Sequence, residues 1–398
     1  MIICCIRGSR SQLICVTHAF DLQKMESETL VSMILGQSIQ VLDSPVSQLT
    51  KNTIFSHLWG GRTTTSATGQ RLCGSDPDAI DLDAYWTYYT KECSNALHDS
   101  GRHVATRTHA DIIDCVSMLR SGMLRDDIKS ALHSRLSSRH TNEDEMLDNS
   151  IDLAASLLLM ANFGSYSYGF SGQSSVCWNK GSLQEFLQRY FEPERKLANE
   201  NVKLEKIFKA SNLDRIAGLE IVWTDNLADH LRMTDDDKRV HIFHHASFLE
   251  AQRTSVNSLL PDGLAEETMR TLALLCPTCD VETKQWISGP RHEGLDKRIS
   301  QCGRLKTDNR RVDRFVFWRD RLVMLKQAFD EAQPKTIRQW WYDSRNGVQW
   351  YTFWVAVLVL LLTVVFGLVQ SIEGALQVYV SFKTLNVDRG SSAESLIQ

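Results

Sequence analysis

The sharpest break in the hydrophobic and polar pattern lies near the end of the chain, where twenty residues from Trp350 to Val369 (WYTFWVAVLVLLLTVVFGLV) carry no charge. At roughly 1.5 Å per helical residue they reach about 30 Å, the thickness of a bilayer's hydrocarbon core. The pattern predicts a transmembrane helix over 349–370 and a short tail over 371–398. Core helices of soluble proteins seldom stay apolar on every face for this length. Trp340, Trp341, Tyr342, Trp350, Tyr351 and Trp354 gather at the entry and Tyr379 follows the exit, as rings that prefer the headgroup layer do. No other segment competes. The N-terminal MIICCIRGSR is interrupted by Arg7 and Arg10 and lacks the order of a secretory signal, so a single span is expected.

Upstream the text is that of an amphipathic helical protein. Residues 1–75 show no clear period and are expected to be poorly structured, with Gly60 to Gly69 (GGRTTTSATG) as a flexible linker and Met25 as good a start as Met1. Asp76-Pro77 then opens helical spacing through Ile80, Ala84, Trp86 and Tyr88, the start of a helical region over 76–165. Ile112, Ile113, Val116 and Leu119 suggest a further helix, and Met146 to Met160 a core helix, because Asp148 and Asp152 bar it from lipid. A Gly/Ser/aromatic loop from Asn162 to Lys180 precedes a second helical region over 176–302, which Ser182 and Glu185 open as a capping box.

Within that region Leu219, Ile221 and Trp223 alternate like a short strand, and Asp225 to Leu231 (DNLADHL) reads as helix again. Asp235 to Asp237 reads as a helix start, RVHIFHHASFLEAQ as helix or strand alike, and Pro261-Asp262-Gly263 opens a helix that Pro277 stops. Over 312–345, Phe315, Trp318, Leu322, Leu325 and Phe329 step by three and four, which predicts an amphipathic stalk helix ahead of the aromatic entry. Two heptads are too few for a coiled coil, and packing against the body is the favoured outcome. The fold class is therefore mainly α: a helical soluble body with one short strand, a stalk helix and one C-terminal transmembrane helix.

Composition narrows the function without naming it. With 43% hydrophobic and 23% charged residues the chain can fill one or two cores, and a net charge of −4 removes the electrostatic footprint of a nucleic-acid binder. A span this late, with 29 residues after Val369, is the layout of a tail-anchored protein whose body faces the cytosol. The absence of an Asn-X-Ser/Thr sequon and ten cysteines scattered without a framework agree with a reducing compartment.

Candidate chemistry is sparse. Cys276, Cys279, His292 and Cys302 have the ligand types of a zinc site at only loosely suitable spacing, and a buried thiol at a helix end is the plainer reading. His241, His244 and His245 lie close in sequence to Asp225, Asp229 and His230 and look like a metal or acid/base cluster, though a His-rich helix with no fixed Glu partner is usually structural or exposed. No phosphate-binding Gly loop and no nucleophile elbow occurs, so neither catalytic residues nor a cofactor are expected. In the apolar segment Thr363, Gly367, Gln370, Gly374 and Gln377 step by four and three, a small and polar stripe suited to self-association or a partner helix within the bilayer.

The segments Leu213 to Gln252 and Phe317 to Tyr379 resemble a group of filamentous-fungal proteins that carry one C-terminal span and no assigned activity. The resemblance implies an anchor and transfers no site. The expected role is interaction or scaffolding at a membrane. An oligomeric pore or transport subunit using the Thr363 to Gln377 stripe and a membrane-bound enzyme using the Asp225 to His245 group are the alternatives.

Overall fold

Thr108 and Asp111 show how directly local sequence sets the helices. The Thr108 hydroxyl accepts the Asp111 amide while the Asp111 carboxylate accepts the Thr108 amide, closing the capping box of the helix His109–Arg120. The computed structural model describes residues 41–60, 80–136, 142–164, 175–192, 202–255, 257–333, 336–342 and 347–394. The Asp76-Pro77 signal, the Met25 start and nearly all of the Gly60 to Gly69 stretch lie outside them.

Two units result, 1–332 and 333–398. In the first, α1 (Gln48–Trp59), α2 (Asp83–Ala96), α3 (His98–Gly101), α4 (His109–Arg120), α5 (Arg125–His133) and α6 (Glu143–Leu159) come in order. The expectation of little structure before residue 75 is corrected by α1, which Ser47 caps and whose Ile54, Leu58 and Trp59 are buried. Its mixed polar face hid the period. The hub is α6, against which α2, α4 and α5 pack. Each fully buried leucine or isoleucine on it, Ile151 and Leu157 among them, contributes about 1.5–3 kcal/mol.

The acids that keep α6 out of lipid meet a buried cation. Arg125 bonds Asp148 at 3.1 Å and Asp152 at 2.6 Å and lies over the Trp178 ring at 4.9 Å.

After α7 (Leu183–Tyr190) and α8 (Ala210–Arg215), three strands form a small sheet: β1 (Glu220–Thr224), β2 (Met233–Thr234) and β3 (Arg239–Phe243). The order is β1-β3-β2, with β1 parallel to β3 and β2 antiparallel to it. Two expectations are corrected here. The DNLADHL segment yields only one 3-10 turn, Leu227–Asp229, because Asn226 caps it and the Leu227 amide is taken by the Met160 carbonyl. Asp235, Asp236 and Asp237 are not a helix start but the β2–β3 turn, all three at φ between 51° and 58°. Asp tolerates this left-handed region better than most residues.

Next come α9 (Ala246–Thr254), α10 (Leu264–Leu275), α11 (Val281–Ile287) and α12 (Arg319–Glu331). The stalk helix is α12, and it takes the favoured outcome: Leu322, Leu325 and Phe329 are fully buried in the body. Glu267 on α10 fastens its entry, its carboxylate accepting the amides of Val316, Phe317 and Trp318 at 2.7, 2.8 and 2.8 Å. The two helical regions expected at 76–165 and 176–302 share one core, with α9 packed on α1 and Gln252 bonded to the Leu158 carbonyl.

The second unit holds α13 (Ile337–Tyr342) and α14 (Gly347–Glu394). The helix does not stop at 370 but continues through the expected tail, since nothing from Gln370 onward breaks it. Its stretch Trp350–Thr384 is long and apolar enough to cross a membrane, with mean hydropathy 2.7 over an 18-residue window and no residue buried. The entry aromatics touch: Trp341 meets Trp354 edge-on at 4.9 Å and Trp350 meets Tyr351 at 5.2 Å.

Candidate functional site

Parallel strands end side by side, so residues that follow them meet. The register pairs Thr224 with Phe243, and this sets Asp225 beside His244 and His245. His245 Nε2 lies 2.7 Å and His244 Nε2 3.3 Å from Asp225 Oδ1, the rings stack at 4.0 Å, and Lys91 on α2 approaches Oδ2 at 3.6 Å. Both histidines are buried and Asp225 is partly open. Among the described residues these three form the one group whose ligand atoms lie close enough for a shared metal.

The hydrogen-bond pattern says what the group can do. His244 Nδ1 accepts the backbone N–H of Asp296 at 3.3 Å, so a neutral ring carries its proton on Nε2 and donates to Asp225. His245 Nδ1 is buried with no partner among the described residues, so its proton also belongs on Nε2, facing the carboxylate. Burial alone would raise the Asp225 pKa, but the bonds from His244 and His245 outweigh it and hold the carboxyl well below the usual carboxylate range. Burial pushes His245 down to about 4, with the neighbouring His244 adding to the effect and Asp225 opposing it. Asp225 is thus a carboxylate clasped between two imidazole Nε2 atoms, with the His245 ring neutral.

A metal would need the lone pairs of both Nε2 atoms. Each ring proton would then move to Nδ1, where His244 would confront an amide N–H and His245 would find no acceptor. Metal-ligating histidines ordinarily donate that second N–H to an oxygen. The residues present therefore fit a structural clasp better than a metal centre.

The remaining members of the Asp225 to His245 group go elsewhere. Asp229 is fully buried against Arg232 at 2.8 Å and Asn226 at 2.9 Å. His230 bonds Thr271 Oγ1 through Nε2 and accepts the Phe243 amide on Nδ1, while His241 reaches Thr234.

Of Cys276, Cys279, His292 and Cys302, no three bring ligand atoms together. Cys276 is buried, Cys279 is exposed, and His292 Nδ1 already accepts the Trp223 indole N–H at 2.8 Å. Burial pushes the Cys302 thiol up to about 12 and raises the Cys276 thiol as well, as for buried structural cysteines.

Thr363, Gly367, Gln370, Gly374 and Gln377 lie on one uninterrupted stretch of α14, exposed throughout. Thr363 returns its hydroxyl to the Val359 carbonyl at 2.8 Å, and a Cβ at Gly367 or Gly374 would meet nothing within 4 Å.

Sequence reasoning did not find Lys91 or Asp296. Asp296 accepts the Ser247 amide and hydroxyl at 2.6 and 2.9 Å and so fixes the corner that carries His244 and His245. It lies about fifty positions away in sequence, with no local signal. No family model matches the chain, and neither a curated protein nor a solved structure is similar to it.

Proposed function

We propose that this chain is a single-pass membrane protein whose helical body works at the cytosolic surface as an interaction or scaffolding module, without catalysis of its own. One observation carries the reading: Trp350–Thr384 is one uninterrupted helix with no residue buried, and its Trp350 to Val369 part carries no charge. Exposed apolar area of this extent is unsustainable in water and natural in hydrocarbon. At about 1.5 Å per residue the 35 residues reach about 52 Å, so the apolar Trp350 to Val369 part fills the bilayer and the Glu373 part extends past its core. The closed state of Asp225, His244 and His245 favours a binding role over a membrane-bound enzyme built on them.

Carbonate extraction of membranes carrying the full chain tests the anchor, and protease protection of the body tests its side. Recovery of the chain in the carbonate supernatant would refute the anchor; a body shielded in sealed vesicles of cytosolic-out orientation would refute the topology.

A second reading, an oligomeric pore or transport subunit, draws support from the unobstructed Gly367 and Gly374 on one face of α14. Cross-linking in native membranes would give a defined ring, abolished by Gly367→Leu with Gly374→Leu. A monomer in those membranes removes this reading and leaves the first intact.

A further inference from the structure

Stretches of chain distant in sequence wall a cavity of about 260 Å3 in the body: 205–209, the end of α10 with the turn after it, 273–280, and 304–310. The walls are tied to one another. Leu204 donates its amide to the Arg310 carbonyl at 2.8 Å and Val312 to the Val202 carbonyl at 3.0 Å. The Thr278 hydroxyl donates to the Gly303 carbonyl at 2.9 Å and accepts the Gly303 amide at 3.0 Å. The cavity is thus preformed.

Its charge is unbalanced. Lys206, Lys209, Arg304 and Arg310 line it against only Glu205 and Asp280. Lys209 is already committed, 2.8 Å from both Asp280 and Glu282, and Asp280 also accepts the Thr283 amide. Arg310 is different: it is only 9% exposed, its Nε is buried with no hydrogen-bond partner, and its guanidinium has no ion pair among the described residues. The Nε donor is thus left open to an acceptor that enters the cavity. Arg304 and Lys206 on the rim also lack carboxylate partners among the described residues, whereas buried cations elsewhere in the body, Arg125 and Lys326 among them, have theirs.

We propose that this cavity binds a phosphate group, with Arg310 as the buried anchor and Arg304 and Lys206 as rim contacts. With Lys209 held by both Asp280 and Glu282, the cationic surplus over Glu205 is carried by Arg310, Arg304 and Lys206, and it calls for an anion. A guanidinium fork meets phosphate oxygens in bidentate fashion, and Lys206 adds a mobile point charge. The volume falls just under the range of about 300–1,000 Å3 typical of larger ligands, so the occupant is inorganic phosphate or the phosphate of a small monoester or lipid headgroup.

Isothermal titration calorimetry of the full chain in detergent micelles tests this with inorganic phosphate and, in a separate arm, with dibutanoyl phosphatidylinositol phosphate. Saturable heat is the readout, because phosphate raises the melting temperature of any protein by exclusion. Saturable binding is expected, weakened about 10-fold or more by Arg310→Gln and partly kept by Arg310→Lys. The arm that binds more tightly identifies a free phosphate or a headgroup as the source. Absence of saturable heat in both arms, as for a cavity holding water only, overturns the proposal. Should Arg310→Gln fail to fold, the exposed pair Arg304→Gln with Lys206→Gln decides: a loss of several-fold supports the site, and unchanged affinity overturns it.

Discussion

Lowering the pH from about 7.5 to about 5 should destabilise the body through its buried histidines. His245 shows why. Its folded pKa, about 4, lies below the ordinary histidine value of about 6.5, so the unfolded chain takes up a proton that the folded state refuses. The sign follows: its contribution is fully present above about pH 6.5 and is lost as the pH falls toward 4. At pH 5 the loss is about 2 kcal/mol, a sizeable share of the 5–15 kcal/mol that holds a typical domain. The structural cause is a ring whose Nδ1 is buried without an acceptor, so an imidazolium there would carry an orphaned N–H.

His230 adds a loss of the same sign, since burial and then Arg321 depress its pKa and its Nδ1 already accepts the Phe243 amide. Asp225 stays silent in this window: its depressed pKa keeps its contribution intact until the pH falls below about 3.9. Urea unfolding of the full chain in micelles, followed by fluorescence of the buried Trp59, Trp178 and Trp318, measures the effect. His245→Gln keeps a donor toward Asp225 and should lower the pH slope by up to about 1.4 kcal/mol per unit. Stability that stays level from pH 7.5 to 5, or an unchanged slope in the variant, would refute the reasoning.

Other perturbations test the packing and the span. Glu267→Ala orphans three amides at the entry to α12 and should cost about 3 kcal/mol or more in urea unfolding, whereas Glu267→Gln, which keeps one carbonyl oxygen for Phe317 and Trp318, should cost less than half of that. Equal costs would mean that the carboxylate does not fasten that entry. Arg125→Ala leaves the largely buried Asp152 without its cation, while Asp148 keeps Lys129 at 2.9 Å, and should destabilise by about 3–5 kcal/mol, with part regained on adding Asp152→Ala. Absence of coupling in that double-mutant cycle would sink the clasp. Leu361→Arg, near the centre of the apolar stretch, should make insertion less favourable by about 3 kcal/mol, read as a reduced inserted fraction in microsomes. An unchanged fraction would argue that lipid does not surround this helix.

How much of this was legible depends on how far apart the cooperating residues lie. The helices α6, α10 and α14 were legible because apolar period, caps and breakers are local signals, and α12 because its contact positions recur every three or four residues. Asp235 to Asp237 misled because an acidic triplet both suits a helix start and tolerates left-handed backbone, and only pairing of Met233 with Val240 selects the turn. The Asp225, His244 and His245 group could be suspected from composition, yet the β1–β3 register decided which members meet and the amide of Asp296 decided their protons.

The amino-acid sequence by itself determined that the chain is mainly helical and that one segment is long and apolar enough to cross a membrane, because period and polarity act over a few turns of helix. Tertiary structure alone decided that both halves share a core, that three of the acid and histidine side chains converge, and that Arg310 faces a cavity without a counter-ion. Those outcomes rest on contacts between residues tens to hundreds of positions apart, where the chain carries no local mark of its future neighbours.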